Sequence, residues 1–152
     1  MKLLDIMKKG AILPELAARH KKEALEELCA VLAAQEGLDA APLLEVLLER
    51  EKLGSTGIGE GIAIPHGKTG STDKLLVACG RSHEGVDFDS MDGKPTHIFF
   101  LLLAPENTAG AHLKALAKIS RLLKDSSFRR DMLDAPGAPE IYDLIVSRDD
   151  DF

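Results

Sequence analysis

The chain has 152 residues, 45% of them hydrophobic and 29% charged, with a formal net charge of −6. That length matches about one domain with a real core, and the composition predicts a soluble globular protein. The acidic balance argues against a nucleic-acid footprint. The longest apolar run, seven residues over 98–104, falls far short of the ~20 needed to span a bilayer, so no membrane insertion is expected. No basic-then-apolar leader opens the chain, which predicts a cytoplasmic location. Asp149-Asp150-Asp151 reads as a solvated acidic end.

In chain order, residues 12–16 form a candidate edge strand, a position that tolerates Pro14. Residues 21–35 carry Ala24, Leu25, Leu28, Val31 and Leu32 at helical spacing, and Gly37 stops the helix. Asp39 is placed to cap a second helix with Pro42 in its first turn and an apolar face of Leu43, Val46, Leu47 and Leu48. That helix runs into Arg50 and ends by Gly54. Residues 74–80, 86–88 and 96–104 read as strands, the last two joined through an Asp92-Gly93 turn. The near-continuous apolar run in 96–104 predicts a central strand covered on both faces. Helices follow over 108–123, 127–133 and 139–146. The interleaving predicts one α/β domain over 1–152, with a mixed sheet of about five strands between helical layers. Cys29 and Cys79 have no metal spacing and read as buried reduced thiols.

The most informative segment is 54–68, Gly-Ser-Thr-Gly-Ile-Gly-Glu-Gly-Ile-Ala-Ile-Pro-His-Gly-Lys. Its glycines strip side chains from a short stretch, and Pro65 fixes the backbone just before His66. Nucleotide motifs fail on spacing. A phosphate-cradling loop ending at Gly67-Lys68-Thr69 needs glycine where Ile62 stands, and Pro65 removes an amide donor. The dinucleotide pattern begun by Gly57 and Gly59 also meets Ile62 instead of glycine.

The same segment resembles the active-site signature of enzyme IIA domains of the phosphotransferase system (PTS), type 2, the fructose/mannitol/nitrogen-regulatory family. The likeness continues through Glu49-Arg50-Glu51-Lys52, Asp92-Gly93-Lys94-Pro95, Leu101-Leu102-Leu103-Ala104-Pro105 and Ala111-His112-Leu113. It therefore covers almost the whole chain. The resemblance implies the EIIA type-2 fold, and it implies that His66 is the residue phosphorylated.

Phosphoryl transfer to an imidazole needs a neutral ring with one free nitrogen and a tautomer fixed at the other. It also needs in-line positioning and compensation of charge on the equatorial oxygens. His66 suits the first task. The resemblance places His112 beside it, near a helix start whose free amides also attract phosphate. Arg50 is the candidate clamp, because its guanidinium fork matches phosphoryl oxygens. Ser55 and Thr56 either donate hydroxyl hydrogen bonds to the phosphate or only shape the turn. Lys68 reads as a partner contact, and the Glu60 carboxylate is expected to point away from a phosphoryl site. His20, His83 and His97 match no motif, and His97 reads as structural. No metal spacing is present, and the chemistry requires no cofactor.

The expected function is a phosphohistidine carrier of the phosphoenolpyruvate-dependent phosphotransferase system, a transferase component. His66 would accept the phosphoryl group from an HPr-like carrier across a transient interface below about 1,200 Å². Without a fused permease or carrier segment, the expectation tilts toward a nitrogen-regulatory IIA protein acting on target proteins. The alternatives are a sugar-specific component feeding the IIB domain of a fructose- or mannitol-type permease, and a purely protein-binding regulator that is never phosphorylated.

Overall fold

The computed structural model describes residues 2–149, apart from the side chain of Ala109. Two 3-10 turns, Leu3–Asp5 and Lys9–Ala11, lead into strand β1 (Ile12–Leu13) and helices α1 (Lys21–Glu36) and α2 (Ala40–Glu51). The glycine-rich segment contributes three short strands, β2 (Gly57–Gly59), β3 (Ile62–Ala63) and β4 (His66–Thr69). Then come β5 (Leu76–Val86), β6 (Thr96–Pro105), α3 (Ala109–Lys124), α4 (Ser126–Asp134) and α5 (Ala138–Asp149).

The strands form one six-stranded sheet in the order β1-β5-β6-β3-β2, with β4 also paired to β6. It is mixed: β1 is parallel to β5, β3 and β4 are parallel to β6, and the β5–β6 and β2–β3 pairs are antiparallel. β6 is central because its residues are apolar on both sides. Phe99, Leu101 and Leu103 join Leu25, Leu28, Leu43 and Leu47 of α1 and α2 in one core. Ile98, Phe100 and Leu102 join Ile119, Phe128, Met132 and Ile141 of α3 to α5 in the other. The alternation is the two-residue period of an extended strand, and it yields the expected sheet between two helical layers. Among the described residues, no helix is long and apolar enough to cross a membrane.

Several expectations change in detail. Residues 74–80 and 86–88 are not two strands; Leu76–Val86 is continuous, and Phe88 lies beyond its end, buried with its ring 5.4 Å from that of Phe99. Gly80 is no breaker: a Cβ there would stand 3.0 Å from Leu28 and 3.2 Å from Leu16, so the glycine admits α1 to the sheet. Gly85, at φ 95°, takes up an irregularity in the pairing instead. Second, Asp39 occupies the N-cap position of α2, but its side chain makes no capping bond. The edge strand stops at Leu13, directly before Pro14. Cys29 and Cys79 are buried free thiols, and burial pushes both up to about 12.

A further change concerns the acidic end. Asp149 is not solvated but 1% exposed, and it accepts the Leu3 amide at 2.9 Å, the Leu4 amide at 3.2 Å and Lys118 Nζ at 2.9 Å. Asp150 and Asp151 lie outside the described residues. Burial works against its ionisation, but these donors outweigh that and hold the carboxyl below its ordinary 3.8. A depressed folded pKa contributes stability above 3.8 that is lost as pH falls through the folded value. Asp149→Ala should lose about 3–5 kcal/mol in urea unfolding at pH 7, because it removes one member of a buried ion pair and the acceptor of the Leu3 and Leu4 amides. The deficit should shrink as wild type and variant are compared at progressively lower pH.

Candidate active site

β3 and β4 lie end to end along one edge of β6, with Ile62 paired to Ile98 and His66 to Leu102. Pro65 sits at the join. It has no N–H to offer, but its carbonyl accepts the Leu102 amide at 2.9 Å, and the Ile64 amide donates to Thr56 at 3.1 Å. The chain bends so that His66 Nδ1 comes 2.7 Å from the Ile64 carbonyl. A carbonyl can only accept, so the ring proton resides on Nδ1 and Nε2 keeps its lone pair. Gly67 follows because a Cβ there would fall 2.6 Å from Val46 Cγ1, with α2 packed directly on β4.

The end of β6 turns at Pro105, and the first turns of α3 bring His112 back to His66. The ring centroids are 5.7 Å apart with the planes inclined at 58°. His112 is 6% exposed, and its Nδ1 is buried without a hydrogen-bond partner among the described residues. A buried N–H without an acceptor is the costlier arrangement, which favours the tautomer with the proton on Nε2. Arg50 lies on the face of α2 that Val46 shares four residues earlier, and its Nη1 donates to the Gly54 carbonyl at 2.9 Å. Val46, Arg50, Leu53, His66, Lys68 and His112 wall a shallow depression of about 440 Å³.

The two hydroxyl candidates are directed elsewhere. Ser55 Oγ donates to the Phe88 carbonyl at 2.9 Å and accepts the Gly57 amide at 3.1 Å. Thr56 is buried, with its hydroxyl and its amide both on the Glu51 carboxylate. Glu60, held at φ 59°, directs its carboxylate to Arg129 of α4 at 3.4 Å and does not line the depression. His97 Nδ1 donates to the Ser82 carbonyl at 2.8 Å, a structural tie. His20 precedes α1 at its N-cap, and His83 lies between Glu15 and the Leu133 carbonyl. Sequence reasoning missed the ion pair of Glu51 with Lys21 at 2.9 Å, which uses the same carboxylate that holds Thr56. The one available signal was a carboxylate continuing the Leu43–Leu47 stripe.

Both imidazoles are biased to the neutral form. Burial of the His66 ring is the largest influence and holds its pKa below the ordinary 6.5; Arg50 adds to it, while the Ile64 carbonyl and Glu51 oppose it. His112 is lowered likewise, by burial first and then by His66 and Lys68. The site therefore presents a neutral nucleophilic nitrogen, a second imidazole and a guanidinium in one open hollow. That combination can accept a transferable anionic group on nitrogen.

Residues 5–147 match the family described as "Phosphoenolpyruvate-dependent sugar phosphotransferase system, EIIA 2". The chain belongs to that family. It is 44% identical over 146 residues to a nitrogen regulatory protein of Bradyrhizobium diazoefficiens, a match covering 96% of this chain and 95% of that one. It is 39% identical over 150 residues to the fructose-specific EIIABC component of Bacillus subtilis, covering 98% of this chain and 24% of that protein. The crystal structure of nitrogen regulatory protein IIA-Ntr from Neisseria meningitidis superposes with a TM-score of 0.86 at 36% identity, covering 93% of this chain and 97% of that one.

Nitrogen-15 NMR should show His66 as the Nδ1–H tautomer in the neutral ring, against the Nε2–H preference of free histidine. Its titration midpoint should lie below 6.5, so the nucleophilic form persists into mildly acidic solution and is lost only as pH falls through that lower value.

Proposed function

We propose that this protein is a phosphohistidine carrier in which His66 Nε2 accepts a phosphoryl group from a small histidine-containing, HPr-like phosphocarrier. The observation that carries this reading is the bond from His66 Nδ1 to the Ile64 carbonyl. It leaves a single nucleophilic nitrogen, in a hollow shared with Arg50 and His112. In the transfer, the Nε2 lone pair forms the new N–P bond while the donor's N–P bond breaks and its electron pair returns to the donor imidazole. Nδ1 keeps its proton, and the Ile64 carbonyl stabilises the positive charge that develops on the ring. Arg50 supplies a planar fork for the equatorial oxygens, and His112 donates from Nε2. Ser55 and Thr56 act as shapers of the turn, since their hydroxyls are committed to Phe88 and Glu51. No cofactor takes part.

The surroundings suit a protein donor. Leu53, 85% exposed, walls the hollow together with Val46, so apolar surface borders an open site. We assign the protein to the nitrogen-regulatory branch, whose Bradyrhizobium member matches end to end at the higher identity. The fructose-specific match supports the second reading, in which phosphate passes on to a permease IIB domain. The intact His66, His112 and Arg50 set weigh against a binding domain that is never phosphorylated.

Incubation with phosphorylated carrier should place acid-labile phosphate on the His66 peptide, and His66→Ala should take none; undiminished labelling of that variant would sink the assignment. His112→Ala and Arg50→Lys should fold normally and transfer about 10²-fold more slowly. Addition of a fructose- or mannitol-type IIB domain separates the branches, since a regulator should retain its phosphate and a sugar component should discharge it.

A further inference from the structure

The inward stripe of α2 runs Leu43, Leu47, Glu51, and all three side chains are buried. A third leucine would continue the pattern at no electrostatic cost. A carboxylate there needs donors to offset its lost hydration. Glu51 has three: the Thr56 amide at 3.1 Å, the Thr56 hydroxyl, and Lys21 Nζ at 2.9 Å. Lys21 is itself held, with its ammonium 5.0 Å from the Phe88 ring centre and 3.7 Å from Asp89. One carboxylate thus joins α1, the end of α2 and the start of the glycine-rich segment. A fully compensated break in an apolar pattern belongs where function demands it.

We propose, on the reading of His66 as the phosphoryl acceptor, that Glu51 is a positioning residue: by clamping Thr56 it fixes the junction between α2 and the glycine-rich segment, and so sets Arg50 against His66. Neighbours on a helix diverge by about 100°. With Glu51 locked inward, Arg50 takes the adjacent face, the one that walls the hollow. On the other side, the Thr56 carbonyl accepts the Ile64 amide at 3.1 Å, and the Ile64 carbonyl holds His66 Nδ1. A continuous path therefore runs from Lys21 through Glu51, Thr56 and Ile64 to His66. Glu51 also acts on the ring through space, against the downward pull of burial and Arg50.

Glu51→Gln keeps the shape and removes the charge. It should retain the native circular dichroism spectrum, lower the His66 NMR titration midpoint, and reduce the transfer rate at saturating phosphorylated carrier about tenfold or more. The apparent KM for the carrier should stay unchanged, because Glu51 is buried beneath the docking rim. Thr56→Val should reproduce the rate loss and Thr56→Ser should restore it. A Glu51→Gln variant with unmoved midpoint and wild-type rate overturns the proposal. So does a loss confined to Thr56→Val, which would assign that hydroxyl to the phosphoryl group directly. Should Glu51→Gln fail to fold, equal rates for the two Thr56 variants overturn it. If the wild type takes no phosphate from carrier or from potassium phosphoramidate, the His66 reading fails, whereas the titration midpoint judges the coupling of Glu51 to His66 separately.

Discussion

Strand β6 is packed on both faces, with Phe99, Leu101 and Leu103 against α1 and α2 and Phe100 and Leu102 against α3 to α5. A slip of one residue would exchange these sets between two differently shaped layers, so its register is strongly specified. Every part of the site is measured off this strand. β3 and β4 pair along one edge of it, which places His66 opposite Leu102. Its C-terminal end launches α3, which returns His112 to the same place. The hollow forms where two elements indexed to one strand meet α2.

Within that frame the site works by restraint on one ring. The Ile64 carbonyl selects the tautomer, burial biases the ring to its neutral form, and Arg50 adds positive charge to the same hollow. Glycines let the backbone come close. Gly67 admits Val46 and thereby α2, while Gly59 and Gly61 carry the left-handed turn around Glu60. Two carboxylates near the signature are kept occupied away from the hollow, Glu60 by Arg129 and Glu51 by Lys21 and Thr56, while Glu49, which does line it, is paired with Lys52. Neither Glu60 nor Glu51 lines the hollow.

Much of this was legible in residue order. Helices α1 to α5 follow apolar spacing and stop signals such as Gly37, and the 98–104 run betrays a strand covered on both sides. The strand end read at Gly80 misled, because a glycine that admits a packed helix looks in sequence like one that ends a strand. Asp149 misled for a related reason: its partners, Leu3, Leu4 and Lys118, are far away in the chain, so nothing local distinguishes a buried anchor from an acidic tail.

Sequence by itself determined the elements, the two-faced central strand and the signature that singles out His66, because these depend on local spacing and on residue types a few positions apart. Only tertiary structure decided which hydroxyls, carboxylates and cations reach the imidazole. Thr56 turned out to serve Glu51, and Ser55 the Phe88 carbonyl, although both stand in the signature. Lys21, thirty-five positions before Thr56 in the chain, turned out to be its neighbour through Glu51. The direction of a side chain depends on what packs behind it. That is set by contacts between segments, which residue order alone does not contain.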